Sequence, residues 1–209
     1  MIRSYGLTPP AFANIPVRMA ADVAARYEMS HEAAALLAPA LRPRQYFELL
    51  VEKQRYEDAV AFLAHALKPR DAVWWGCLCI GEELSMDADS RDHVSALEAA
   101  VRWVLDPSEN HRVAAQRMVD ERGVSTPADY LALAVYWSGN LAPTGSRTLI
   151  SPPPYLYGTA VSTAICLAAV SGSQEKISAR YQWCLRAGTH VALTPRAWEY
   201  WRSSRPEPA

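Results

Sequence analysis

The residues of this chain that could do chemistry crowd into two neighbouring stretches. Residues 68–84, KPRDAVWWGCLCIGEEL, carry Cys77 and Cys79, and residues 87–98 carry Asp87, Asp89, His93 and Glu98. A Cys-x-Cys pair with His65 and His93 in the same part of the chain suggests a metal or redox centre. Zinc sites, however, use Cys-x2–4-Cys with a second pair of ligands at compact spacing, and no second pair follows here. On a helix, residues two apart project about 200° from one another. The two sulfurs therefore diverge and cannot form a disulfide while the helix is intact. Cys77, Cys79, Cys166 and Cys184 all lie in apolar helical contexts and read as buried, reduced thiols of a cytoplasmic protein. No metal and no cofactor is expected.

Asp87, Asp89 and Glu98 match positions 1, 3 and 12 of a calcium loop. The match fails at Arg91 and at Asp92, where the sharp turn needs glycine. The stretch reads instead as a polar connection with an N-cap acid. The five histidines, His31, His65, His93, His111 and His190, are scattered. No His-Glu-x-x-His, Gly-x-Ser-x-Gly or P-loop occurs. Ser30-His31-Glu32 spells the letters of a triad but reads as a helix start, since triads assemble in space rather than in sequence. No catalytic residue is expected. The alternative is an enzyme with an unfamiliar site near Glu82, Glu83, Asp89 and His93, the one local cluster of titratable groups.

These residues need elements to hold them, and the signals for elements are helical. Proline suits the first helical position, where its missing N–H would be unpaired anyway. Pro16, Pro43, Pro69, Pro107, Pro127 and Pro195 all precede helical patterns. Asp106-Pro107-Ser108-Glu109 and Thr126-Pro127-Ala128-Asp129 each offer an N-cap oxygen, a proline and a first-turn acid. Ser30 and Asp89 read as further caps. Tyr56, Val60, Leu63 and Leu67 recur at helical spacing, as do Val94, Leu97, Val101 and Val104, and Tyr130, Ala134 and Trp137 share a face. No β-branched alternation or Asn-Gly turn marks a strand. The spacing predicts helices over 16–27, 31–38, 43–53, 55–67, 69–84, 90–105, 109–122, 127–138, 156–170, 174–187 and 195–202. The fold class is all-α, an irregular multi-helix bundle or short α-solenoid of antiparallel helix pairs.

A chain of 209 residues with 50% hydrophobic and 21% charged residues is long enough for a sizeable core. We read residues 1–209 as a single helical domain with a loose tail at 203–209. The alternative is a boundary at 139–155 that separates residues 1–138 from 156–202. That segment, with Pro152, Pro153 and Pro154, reads as a Pro-rich arm. The apolar helix after it must bury itself, and its Ala160, Ala164 and Ala168 form a smooth ridge for close packing. At about 15 residues it is shorter than the roughly 20 that span a bilayer. The first residues lack a secretory h-region, and a net charge of −1 argues against a protein living mainly on nucleic acid or an anionic membrane, local patches aside.

Seven tryptophans are many for this length. Trp74 and Trp75 stand about 100° apart on their helix, so one is expected in the core and the other at its edge. Trp183, Trp198 and Trp201 crowd the C-terminal end. Most of these rings read as core. The functional alternative is a partner surface of aromatic and arginine hot spots, rimmed by Arg70, Arg102, Arg180 and Arg186.

KPRDAVWWGCLCI resembles the PR(D/E)AVWWxCLC helix of an uncharacterised bacterial family of small helical proteins, a domain of unknown function. ALEAAVRWVLDPSENHRVAAQRM, YLALAVYWSGNLAP, SPPPY and RYQWCLRAG resemble its later parts, in order from about residue 40 to 190. The resemblance implies a helical fold, no assigned activity, and an association of some members with type VI secretion genes. It implies an adaptor or chaperone for a secretion-system effector or structural component. The expectation is a non-catalytic interaction module that binds a protein partner, with no nucleic acid and no membrane span. Trp75, Arg70, Trp137, Pro152, Pro153 and Tyr155 are the expected contacts. A structural homo-oligomer, such as a homodimer through the Trp-rich C-terminal helices, is the alternative.

Overall fold

The computed structural model describes residues 11–85, 91–139 and 153–203. Among them the regular structure is helical, without strands: α1 (Ala20–Ala24), α2 (His31–Leu36), α3 (Pro43–Glu52), α4 (Tyr56–Ala66), α5 (Pro69–Ser85), α6 (Arg91–Leu105), α7 (Glu109–Arg122), α8 (Pro127–Trp137), α9 (Leu156–Val170), α10 (Ile177–Leu193) and α11 (Ala197–Ser203). A single 3-10 turn, Gln174–Lys176, leads into α10. The all-α bundle is the fold class that the helical spacing predicts.

Local chemistry accounts for most of the boundaries. Pro43, Pro69 and Pro127 each open a helix. Thr126 accepts from the Asp129 N–H while the Asp129 carboxylate accepts from the Thr126 N–H, a reciprocal capping box. Ser30 caps α2 through the Ala33 N–H at 3.1 Å. Asp106-Pro107 behaves differently, because α7 begins at Glu109 with Ser108 as its N-cap residue. Asp106 lies ahead of the helix, where its carbonyl is 2.9 Å from His111 Nδ1. Asp89 lies outside the described residues.

Two helices depart from their predicted lengths, for tertiary reasons. The first, predicted over 16–27, is the five-residue α1. Residues before it are held in irregular structure by long-range bonds. Asn14 Nδ2 donates to the carbonyls of Val191 (2.6 Å) and Thr194 (2.9 Å), and the Ala20 N–H donates to Leu41. After it, Arg26 and Tyr27 leave the helix to dock on His65. The other departure is α10, predicted to stop before Gly188, which runs on to Leu193. Gly188 stays helical there because it lies against Trp75 and Leu63 and has no side chain to obstruct them.

The core is organised around α5, which packs against α4, α6, α8, α9 and α10. Its Val73, Trp74, Trp75 and Ile80 are buried. Trp74 and Trp75 are both core residues, which corrects the expectation that one of them sits at an edge. The small-residue ridge of α9, Ala160, Ala164 and Ala168, is buried, and α9 packs against α4, α5 and α8. Helices on either side of the Pro-rich segment thus share one apolar interior. The segment itself, at 140–152, and the tail at 204–209 lie outside the described residues. In α6 the predicted stripe is turned. Val94 is 45% exposed, while Ala96, Ala100 and Trp103 face inward, because close packing on α5 and α8 favours alanine at the contact.

Candidate functional site

The structure redistributes the residues expected to contact a partner. Trp75 is fully buried, and its indole N–H donates to the Cys184 carbonyl at 2.7 Å. It cannot present a surface, and that expectation is corrected: the ring fills the junction of α5 with α10. Arg70 is a structural staple. Its Nε donates to the Val104 carbonyl at 2.7 Å and its Nη2 to Leu105 at 3.3 Å, while the guanidinium lies 4.3 Å from the Trp198 ring. It thereby satisfies the last carbonyls of α6, which have no intrahelical donor. Trp137 is half-buried against the core. Pro153 is exposed, and Tyr155, 37% exposed, stands under the Arg26 guanidinium at 4.4 Å. Pro152 and Asp89 lie outside the described residues, as does the His93 side chain, so Glu82 remains from the alternative cluster, exposed on α5.

The cysteines are embedded. Cys77, Cys79 and Cys184 are buried and Cys166 is half-buried. Burial and a hydrogen bond with Cys184 hold the Cys79 thiol in its neutral form, and burial does the same for Cys77. Since the thiolate is the nucleophile and the metal ligand, this environment suppresses both chemistries.

A polar cluster inside the fold was not legible from sequence. His65, 2% exposed, stacks on Tyr27 with centroids 4.5 Å apart. Its Nδ1 is 2.7 Å from the Ala61 carbonyl, which makes Nδ1 the protonated nitrogen, and Nε2 faces the Thr159 hydroxyl at 3.3 Å. Arg26 Nη1 donates to the His65 carbonyl at 2.7 Å. Burial lowers the imidazole pKa and keeps the ring neutral. Gly158 closes the cluster, because a Cβ there would stand 2.7 Å from His65 Cδ2. Among the histidines with described side chains, His65 is the most protected from water, and it joins α4 to α9.

The candidate site is a groove of about 510 Å³ bordered by α5, α9 and α10. Trp183, Arg180, Arg186, Lys176 and Ala179 stand along one side and Glu82 at α5, over a floor that includes the buried Ala168. Gly172, with φ of 76°, turns the chain sharply after α9. Arg180 fixes that turn by donating to the carbonyls of Ala169 (2.9 Å) and Ser173 (3.1 Å). Trp183 is half-buried, and Lys176 and Arg186 are exposed. Leu167 (37%) and Val170 (44%) add an exposed apolar pair on the adjoining face of α9. The groove offers a flat aromatic ring, cationic flanks and a shallow apolar floor, and among the described residues no histidine lines it. Such a combination suits the capture of an apolar anchor beside negative charge. Trp183, Arg180 and Arg186 were legible as hot-spot types.

The fold defines the class of protein, an all-α multi-helix bundle in which a Trp-bearing helix forms the centre. Within that class, the chain belongs to a family described as a family of unknown function (DUF6931), whose model matches residues 46–192. The match runs from α3 to the end of α10 and contains the whole groove. It leaves α1, α2, the first residues of α3 and α11 outside. No curated protein and no solved structure matches the chain. No helix among the described residues is long and apolar enough to cross a membrane.

Proposed function

We propose that this chain is a non-catalytic protein-interaction module that holds a segment of another protein in the groove bordered by α5, α9 and α10. The observation that carries the reading is the side chain set of α10 and of the turn that leads into it. Trp183 is half-buried at the groove, and Lys176, Arg180 and Arg186 give it a cationic flank. The matching segment has an apolar anchor flanked by carboxylates. Aromatic and arginine side chains are the residues that most often carry binding energy at interfaces. The role is that of an adaptor or chaperone, and the association with type VI secretion genes that the resemblance implies for some members makes a component of that system the first partner to test.

The test compares the tagged wild-type chain with Trp183→Ala and Arg186→Glu in affinity purification from the host, read by mass spectrometry. The reading expects one protein recovered reproducibly by the wild type and lost from both variants, with thermal stability unchanged in Arg186→Glu. Equal recovery by all three would reject the groove as the binding surface. A second copy of the chain as the recovered protein, with dimer mass in solution, would replace the adaptor reading with a homo-oligomeric one.

A further inference from the structure

A second cavity, which shares no lining residue with the groove, is built from the N-terminal segment and the start of α3. It encloses about 490 Å³ and is lined by Phe12, Ile15 and Val17 on the apolar side and by Arg18, Arg42 and Arg44 on the polar side. The walls are anchored at several points. Phe12 packs edge-on against Phe47 at 5.7 Å, and Asn14 is tied to the end of α10. The Ala20 N–H donates to the Leu41 carbonyl at 2.9 Å, which clamps the backbone after Arg18 beside the backbone before Arg42.

The charges of this cavity do not balance. Among the described residues Glu48 is the one carboxylate of its lining, and Arg44 Nε donates to it at 2.7 Å. Arg18 and Arg42 are exposed and meet no carboxylate among the described residues. Residues 1–10 contain no Asp or Glu that could supply one. Elsewhere Arg55, Arg102, Arg112 and Arg196 each pair with a nearby acid. Two guanidiniums with no carboxylate partner among the described residues, over an apolar floor, suit an oxyanion on an apolar body. The volume falls within the range of small-molecule sites, about 300–1,000 Å³.

We propose that this cleft binds a small organic anion, its phosphate or carboxylate held by Arg18 and Arg42 and its apolar body against Phe12, Ile15 and Val17. The proposal stands independently of the groove. Phenyl phosphate is the probe, with benzoate, inorganic phosphate and benzylamine alongside, titrated calorimetrically into the full chain. Phenyl phosphate or benzoate should bind saturably, and whichever binds tighter identifies the oxyanion. Loss of both guanidiniums in Arg18→Gln/Arg42→Gln should weaken binding about tenfold or more, with the unliganded melting temperature unchanged. Glu48→Gln, which removes the competing carboxylate, should tighten it. The proposal is overturned if neither organic anion binds in the millimolar range, or if benzylamine binds as well. Equal affinity for inorganic phosphate would also overturn it, since the apolar floor would then contribute nothing, as would full affinity in the double variant.

Discussion

Two glycines inside helices should respond to the same substitution with opposite signs. A Cβ added at Gly188 would stand 2.6 Å from Trp75 Cε2 and 2.7 Å from Leu63 Cδ2, where ordinary contact is 3.4–4 Å. The indole cannot turn aside, because it is fully buried and its N–H is held by Cys184, one turn earlier on the same helix as Gly188. To accommodate the added methyl, α10 must move off α4 and α5, and that shift also displaces the acceptor of the indole. Overpacking of this kind costs about 1–3 kcal/mol, against a gain of about 0.5–1 kcal/mol for replacing a helical glycine. Gly188→Ala is thus expected to lose about 1–2 kcal/mol. At about 2–4 °C per kcal/mol for a chain of this size, the melting temperature falls by about 2–8 °C. At Gly81 a Cβ meets nothing within 4 Å. Gly81→Ala should gain about 0.5–1 kcal/mol, from helix propensity alone. Thermal and urea denaturation followed by circular dichroism measure both. In the double-mutant cycle with Leu63→Ala, the cost of Gly188→Ala should shrink, because one of the two obstructing groups is gone. Equal stability of Gly188→Ala and Gly81→Ala would refute the packing of α10 on Trp75.

The remaining expectations concern the interior and its caps. Trp75→Phe removes the bond to Cys184 and leaves a void, and should cost about 2 kcal/mol in urea unfolding. Thr126→Ala deletes half of the capping box and should lower stability by about 1 kcal/mol, with little change if the box does not form in solution. Asp71 is 5% exposed, and its Oδ1 has no partner among the described residues. Burial pushes its carboxyl up to about 6 from 3.8, the neighbouring Lys68 and Arg70 opposing the shift only in part. Between those values the unfolded chain loses the proton while the folded chain keeps it. Stability attributable to Asp71 therefore falls as pH rises from about 4 to about 6 and is flat above. Allowing for solvent screening, the loss is about 1–2 kcal/mol. Asp71→Asn should remove this slope, and an unchanged pH profile in the variant would count against a buried carboxylic acid.

The sequence was most informative where a local rule sufficed. Ser30, Pro43, Pro69, Thr126 and Pro127 set helix starts through backbone donors they satisfy or do not need. The alanine ridge of α9 was legible because its spacing alone marks a close-packing face. Local rules failed where a distant segment decided. The clamp of residues 14–20 on α10 and on Leu41 shortens α1. In α6 the larger Val94 yields the interior to alanine, since residue size is weighed against the distance to α5 and α8. Residue type marked Trp75 and Arg70 as hot spots, yet both serve the fold. An indole N–H and a guanidinium satisfy buried carbonyls as readily as they bind a partner.

By itself the sequence determined that this protein is all-helical, and helix geometry was enough to part Cys77 from Cys79. Helix periodicity and capping are properties of neighbouring residues, and hence local. Tertiary structure alone decided which cations are already used. Arg70 and Arg180 close helix ends, while Arg186 stands exposed at the groove and Arg18 and Arg42 stand exposed at the N-terminal cleft. All of them carry the same charge in the sequence. What distinguishes them is whether the folded chain brings an oxygen within reach.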